Sequence, residues 1–575
     1  MNFKADESAT KLRGGYYTAP DVAGFLARWV LEARPRRVLE PSCGDGAFLT
    51  ALAAQRPRSL RSVVACERDP REAAAARRLG APPGATLAVR TTDFLAWFLA
   101  GEDAEPFDAA LGNPPFIRYQ YLEREVQERA EQIFRRCGLR FTRHTNAWAP
   151  FVLAALERLR PGGRLAMVVP AELLHILHAQ SLRDHLGACC RRVLVVDPEE
   201  LWFDRALQGV VLLLAERRGE EDGEPARIAI VPTKDRGVLA EPPSRLFERA
   251  AWTPASELAG GKWMRALLGR RERALLAGLA AHPAVSRFGD LAAVDVGIVT
   301  GANAFFLVDD ETVERHGLQA RAHPMFGRGE HARGVVFDAA DLERNRAEGR
   351  RCHFLWFENG DAEDLPTPAR AYLAAGARRG LAARYKCRIR EPWYRVPSVW
   401  ASPVAMLKRA HHHPRLLLNR AGAFSTDTAY RITPKRVSAT GLVAGFVNSL
   451  TLLAAELEGR HYGGGVLELV PSEIERLPVL VPPGDARPAL RALDAAVRAS
   501  EDPLALLERH DARVLGARGI AAGDAATLRA SWDALRARRQ RRSGARDAGA
   551  AGATAVPPSV GAHPHQRLPH EAAPR

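Results

Sequence analysis

Arg37-Val38-Leu39-Glu40-Pro41-Ser42-Cys43-Gly44-Asp45-Gly46 is the stretch whose reading decides the fold. Its first four residues read as a short buried strand, Pro41 ends it, and a helical pattern resumes from Ala47 to Gln55. Glycines between a buried strand and a helix let backbone come close to a ligand, and the helix start adds favourable N–H groups. The spacing is not Gly-x-Gly-x-x-Gly, and Glu40 and Asp45 would repel a pyrophosphate. The same acids suit a cationic ligand, such as a sulfonium carrying an amino-acid tail.

Working outward, the strand-then-helix alternation repeats. Asp21 to about Ala33 is a helix with Val22, Phe25, Leu26, Trp29 and Val30 on one face. Val63–Glu67 and Thr86–Arg90 read as the next strands, separated by a helix from Arg71 to Leu79. Phe107–Leu111 is the fourth strand and runs into Asn113-Pro114-Pro115-Phe116. After a polar, mobile stretch expected at 123–145 come a helix at 147–159, a strand at 164–170, a helix at 173–186 and strands at 193–197 and 210–215. Short apolar strands alternating with helices predict an α/β sheet covered on both faces. It should be mostly parallel, and the missing helix between the last two strands predicts one antiparallel edge strand.

The division expected is a catalytic domain over 1–220, a mixed α+β domain over 221–487, a helical segment over 488–540 and a disordered tail over 541–575. Seven scattered cysteines without a Cys-x-x-Cys pair fit reduced thiols, not a disulfide framework or zinc site. No window approaches a membrane span and the N-terminus has no signal-peptide pattern, so a cytoplasmic, monomeric protein is expected. The net charge is +15, but eight Arg from Arg536 onward against Asp547 and Glu571 put +6 of it in the tail. A phosphate-binding surface and a solvated Arg-rich surface predict the remainder equally well.

Asn113-Pro114-Pro115-Phe116 is chemically the most pointed segment. Prolines stop a strand and stiffen the backbone, so the corner holds the Asn113 amide and the Pro114 carbonyl in set directions beside a ring. Two acceptors next to a ring suit the amino group of a planar heterocycle. Glu67 ends the second strand, where an acid can take both ribose hydroxyls. Asp93-Phe94 ends the third, where a carboxylate can accept from an adenine amine and a ring can pack on the base.

These residues, in this order, resemble the class I S-adenosylmethionine-dependent methyltransferases. With the Asn-Pro-Pro-Phe corner the chain is similar to the DNA adenine-N6 methyltransferases of the TaqI group, which place target recognition last. The resemblance covers 14–217 well and 294–483 more loosely. It implies a Rossmann-like methyltransferase sheet followed by a target-recognition domain. It also implies a pocket for S-adenosylmethionine lined by Tyr17, Thr18, Glu40, Cys43, Gly44, Asp45, Gly46, Glu67, Asp93, Phe94, Asn113 and Pro115. Asn113 and Pro114 would hold the target amine, with Pro115 stiffening the corner. Phe116, where Tyr is commoner, and Phe203 would stack on a flipped base.

The function expected is therefore site-specific methylation of adenine in double-stranded DNA, as in a restriction-modification system with a separate cognate endonuclease. RNA or protein-glutamine N-methylation, and a non-catalytic DNA-specificity protein on the same fold, stay open. Asn303, Arg388, Arg390 and Arg395 are the candidates for DNA contact in the C-terminal half. None of the seven lysines follows an acid by two positions, so an Asp/Glu-x-Lys nuclease core is not expected in this chain. No metal is expected either: three adjacent side chains in His411-His412-His413 cannot converge on one ion, and a solvated or phosphate-contacting loop is the expected reading.

Overall fold

The computed structural model describes residues 18–103, 105–200, 202, 209–219, 222–357, 365–462 and 465–540, together with the backbone of 541–550. Nine strands form the principal sheet: β1 (Arg37–Glu40), β2 (Ser62–Glu67), β3 (Thr86–Thr91), β4 (Phe107–Gly112), β5 (Leu159–Pro170), β6 (Cys190–Pro198), β7 (Val210–Arg217), β8 (Arg227–Thr233) and β9 (Thr253–Pro254). Their order is β3-β2-β1-β4-β5-β7-β6-β8-β9. β1 to β5 run parallel, with β1 in the middle of that block, so the ends of β1, β2, β3 and β4 open along one edge.

Two expectations need correction here. Of the last two strands expected, β7 is the antiparallel one, and it lies inside the sheet between β5 and β6; the antiparallel edge strand is β9. Seven of the eight residues of β7 are buried, which requires cover on both faces and a partner on each side. The boundary expected at 220 also falls within the sheet, because β8 pairs parallel with β6 and β9 adds antiparallel to β8. The sheet therefore ends at Pro254.

Side chains alternate between two apolar layers, as strand geometry requires. Leu39, Phe107 and Ala110 join one cluster; Val38, Ala109 and Leu111 join the other. The second is covered by α1 (Pro20–Glu32) and α2 (Ala47–Ala54). The helices that follow are α3 (Pro70–Arg78), α4 (Phe94–Ala100), α5 (Arg124–Arg136), α6 (Trp148–Glu157) and α7 (Gln180–Cys189). Helix α5 occupies 124–136, more than half of the stretch expected to be mobile at 123–145. Val126, Ala130, Ile133 and Phe134 repeat at helical spacing and are buried, while Arg124–Glu128, Glu125–Arg129 and Glu131–Arg135 pair along the outside.

The C-terminal half contains a second sheet of β10 (Ala292–Val296), β11 (Val336–Phe337), β12 (Val404–Leu407), β13 (Leu416–Asn419) and β14 (Ala429–Pro434), ordered β10-β14-β12-β13-β11. Helices α8 (Ser449–Glu458), α9 (Arg487–Arg498), α10 (Pro503–Val514) and α11 (Ala522–Ala550) follow. The helix runs through residues 541–550, the first part of the tail expected to be disordered. One apolar cluster continues from Leu39 and Leu213 of the first sheet through Trp263 and Phe288 to Leu453 and Trp532, so the two halves share a core.

Helix α11 straps them together with buried charge. Arg538 donates to Asp197 at the end of β6 (Nε–Oδ2 2.8 Å), and Arg539 donates to both oxygens of Glu456 on α8 (2.9 and 2.7 Å). Arg539 also takes the carbonyl oxygens of His411 and His412. Two of the tail cations counted above are thus neutralised inside the protein. The same strap corrects the reading of the histidine run, for His413 turns inward against Trp532 (ring centroids 6.3 Å) and burial pushes its imidazole down to about 3.

Burial alone would raise the Glu456 carboxyl, yet hydrogen bonds from His461 and Arg539 bring it below its ordinary value. Arg539→Ala would strand that fully buried carboxylate and should cost about 3–5 kcal/mol. The urea midpoint should fall accordingly with an unchanged m-value. A shift below about 1 kcal/mol would show that the strap is incidental.

Candidate active site

The loop after β1 is shaped by backbone before any side chain acts. Gly44 and Gly46 have φ of +51° and +97°, a region that L side chains rarely adopt. A Cβ on Gly46 would also lie 2.3 Å from Leu79 Cδ1. The loop is tied to the end of β2: the Cys43 N–H donates to the Cys66 carbonyl (3.0 Å) and the Gly44 N–H to Glu67 Oε2 (2.9 Å). Glu67 Oε1 accepts the Asp69 N–H (2.8 Å), so both oxygens hold backbone and each keeps a further lone pair for a ligand. Gly46 caps α2, whose N-terminal N–H groups face the loop.

Glu40 sits beneath this loop, fully buried, and neither carboxylate oxygen has a hydrogen-bond partner among the described residues. Burial pushes its carboxyl well above the usual carboxylate range, and the negative charges of Glu67 and Asp45 push it further. Three acids around one glycine loop repel each other unless a cation comes between them. Burial likewise raises the Cys43 thiol, which is therefore a neutral lining group.

The Asn-Pro-Pro-Phe corner stands at the adjacent strand end. It packs against the first loop, since a Cβ on Gly112 would stand in van der Waals contact with Pro41 Cδ at 3.4 Å. Ser42 Oγ donates to the Asn113 carbonyl (3.0 Å), and the Asn113 side-chain Nδ2 donates to Thr18 Oγ1 (3.2 Å). The amide plane is thereby set, with Oδ1 as the acceptor turned away from Thr18. Pro114 is buried, while Pro115 and the Phe116 ring are half-exposed. The backbone is buttressed from behind, where the Ala147 N–H at the start of α6 donates to the Ile117 carbonyl (2.9 Å).

The fold thus brings Thr18, Glu40, Cys43, Gly44, Asp45, Gly46, Glu67, Asn113, Pro114, Pro115 and Phe116 to the neighbouring ends of β1, β2 and β4. Asp93 is at the end of β3 but also caps α4, accepting the Ala96 N–H (2.8 Å), with Arg129 Nη1 at 3.4 Å. Phe94 does not face the pocket. It is 2% exposed and its ring packs on Trp97 and Phe151, at 5.9 and 5.4 Å between centroids. Tyr17 and Phe203 lie outside the described residues; Trp202 beside Phe203 is buried in the core. Sequence reasoning missed Ser42, which orients the corner, and Arg129, which reaches Asp93 from α5. A helical reading of 124–136 would have found Arg129.

The four DNA-contact candidates separate into two kinds. Arg390 donates to the carbonyls of Thr300 (2.8 Å) and Val299 (2.6 Å), so its guanidinium braces a loop instead of standing out as a contact. Asn303 bonds to Thr300 and Asp427 (3.3 Å to the latter). Arg388 and Arg395 are exposed.

Comparison with known proteins agrees with this layout. A family described as Eco57I restriction-modification methylase matches residues 84–197, which include the corner and β3 to β6. The C-terminal domain of type II methyltransferase M.Eco57I matches 260–515, starting just after β9. Type II methyltransferase M.XamI of Xanthomonas campestris pv. amaranthicola is 23% identical over 487 residues, spanning 81% of this chain and 84% of that protein. M.TthHB8I of Thermus thermophilus is 32% identical over 181 residues, 30% of this chain and 38% of that protein. In fold, the chain is similar to the type IIL restriction-modification enzyme MmeI, solved in complex with DNA. The TM-score is 0.54 at 13% identity, over 90% of this chain and 75% of that one. The Asn-Pro-Pro-Phe corner lies inside one matched region and the second sheet inside the other, so the chain is similar over both halves to the type II restriction-modification methyltransferases of the Eco57I kind.

Proposed function

We propose that the protein transfers a methyl group from S-adenosylmethionine to the exocyclic amine of an adenine flipped out of duplex DNA, at one recognition sequence. The observation that carries this is Glu40: a buried carboxyl group with no hydrogen-bond partner among the described residues, under a glycine loop and beside a stiff amine-accepting corner. A cationic cofactor is what such an acid lacks. When bound, S-adenosylmethionine supplies an electrophilic methyl on a sulfonium. Glu40 and Asp45 would neutralise its charges, Glu67 would take ribose hydroxyls on its remaining lone pairs, and the Asp93 carboxylate would accept from the adenine amine.

The corner's task is positioning. An exocyclic adenine nitrogen is a poor nucleophile because its lone pair is delocalised into the ring. Accepting its two N–H groups on Asn113 Oδ1 and the Pro114 carbonyl favours a pyramidal nitrogen and returns the lone pair for in-line attack. With the methyl donor bound, Asn113 Oδ1 and the Pro114 carbonyl would keep the amine in line with it and would pass the one proton the amine gives up to water. Preorganised acceptors do this without a strongly shifted general base. Phe116 offers a stacking face worth about 1–3 kcal/mol against the few kcal/mol of unstacking that flipping requires.

Incubation with methyl-labelled S-adenosylmethionine and DNA, followed by nucleoside analysis, tests the reading. Label in N6-methyladenine is expected. Label in another nucleoside, in RNA or in protein would replace the substrate, and none in any of them would leave a DNA-specificity protein.

A further inference from the structure

The C-terminal domain holds a cleft of about 1080 Å3 between the end of β10 and the segment from Lys386 to Val399. Two properties set it apart. The first is charge: Lys386, Arg390, Arg395 and Arg431 line it against the single acid Glu391. The second is apolar exposure. Of seven large hydrophobic residues exposed among those described, three line this cleft: Ile389 at 61%, Val296 at 46% and Val299 at 36%. A fourth, Tyr385, is at 64% one residue from Lys386. Scattered exposed aliphatics need no explanation, but a cluster on a basic wall marks a contact surface.

The wall is also rigidly built. Arg390 clamps the Val299 and Thr300 carbonyls. Gly297 passes so close to the opposite backbone that a Cβ would lie 2.0 Å from the Thr426 carbonyl oxygen. Arg431 donates to the Ser398 carbonyl (2.6 Å) and lies 4.1 Å over the Trp400 ring. The aliphatic groups are therefore held at fixed positions before any ligand arrives, which lowers the ordering cost of binding.

A polyanion with an apolar mark at a fixed place fits this wall. In duplex DNA that mark is the 5-methyl group of thymine, the one apolar feature on a major-groove base edge. Resting on the reading of the chain as a DNA methyltransferase, we propose that this cleft reads a thymine of the recognition sequence. Ile389 and Val299 contact the methyl, Lys386 and Arg395 hold flanking phosphates, and Arg390 is a positioning residue that keeps Val299 in place.

The test compares full-length protein and two variants on DNA synthesised with thymine or with uracil in its place, which removes the methyl and nothing else. Wild type is expected to bind and methylate thymine DNA roughly fourfold better, the effect of burying one methyl group. Ile389→Ala, at a site too exposed to threaten folding, should bind thymine DNA more weakly and lose most of that preference. Lys386→Ala with Arg395→Ala should weaken both DNAs equally and reduce the salt slope of log K by about 2. An undiminished thymine preference in Ile389→Ala, or equal use of both DNAs by wild type, overturns the proposal. Unchanged DNA affinity in both variants also overturns it, and turns the cleft toward an acidic protein segment. Methyl transfer by wild type scores the underlying reading separately, because transfer without a thymine effect sinks this inference alone.

Discussion

Glu40→Gln should weaken S-adenosylmethionine binding roughly ten- to a hundredfold while leaving the ligand-free protein at least as stable as the parent at pH 8. The loss in binding is the removal of one charge-assisted partner, about 1.5–3 kcal/mol. The stability follows from the sign of the shift. Burial and two neighbouring acids raise the Glu40 carboxyl in the folded state, so above the ordinary glutamate value the folded protein holds a proton that the unfolded chain has released. The stability contributed by this group is therefore complete below the unfolded value and is lost as pH rises through the folded one. Glutamine lacks that loss, so its denaturation midpoint should decline less between pH 5 and 8. Cofactor binding to wild type should also release a proton, read by calorimetry in buffers of different ionisation heat. Glu40→Gln should abolish the release. Equal affinity and equal proton release in both proteins would remove Glu40 from the cofactor site.

Asn113→Ala should lower the single-turnover rate of methyl transfer about 100- to 1000-fold, the usual effect of deleting one preorganised polar group at a reacting centre. S-adenosylmethionine affinity should fall far less, because Glu40, Asp45 and Glu67 remain. Some loss is expected through the Thr18 contact, which Asn113 Nδ2 supplies at 3.2 Å. If affinity and rate fell together, the corner would be a structural wall of the cofactor pocket and not the holder of the amine.

The residues that end strands were legible before the fold was known. Proline, glycine and acid at 40–46, acid at 67 and Asn-Pro-Pro at 113–115 punctuate apolar runs, and local composition determines such punctuation. What depended on distant partners was not legible. The 124–136 helix was hidden by its charge, because four buried positions among thirteen give a narrow apolar stripe. The interior place of β7 came from its insertion between β5 and β6, a pairing made far along the chain, and β8 extends the sheet from beyond a charged, glycine-bearing stretch that resembles a linker. Phe94 follows the capping Asp93 in sequence, yet the first turn of α4 rotates its ring into the core. Arg390 differs from Arg388 and Arg395 only through two carbonyls about 90 positions away. An arginine that braces a loop and one that contacts a phosphate look alike in a sequence.

On the proposed reading, the acid-rich loop and the Asn113 corner act together to methylate adenine in DNA. Expressing the protein in a host without DNA methylation and mapping modified bases across the genome by single-molecule sequencing tests it most directly. The expected result is N6-methyladenine at a single short motif, lost in the Asn113→Ala strain. Unmodified adenine throughout the genome of the wild-type strain, with the folded protein present, would contradict it.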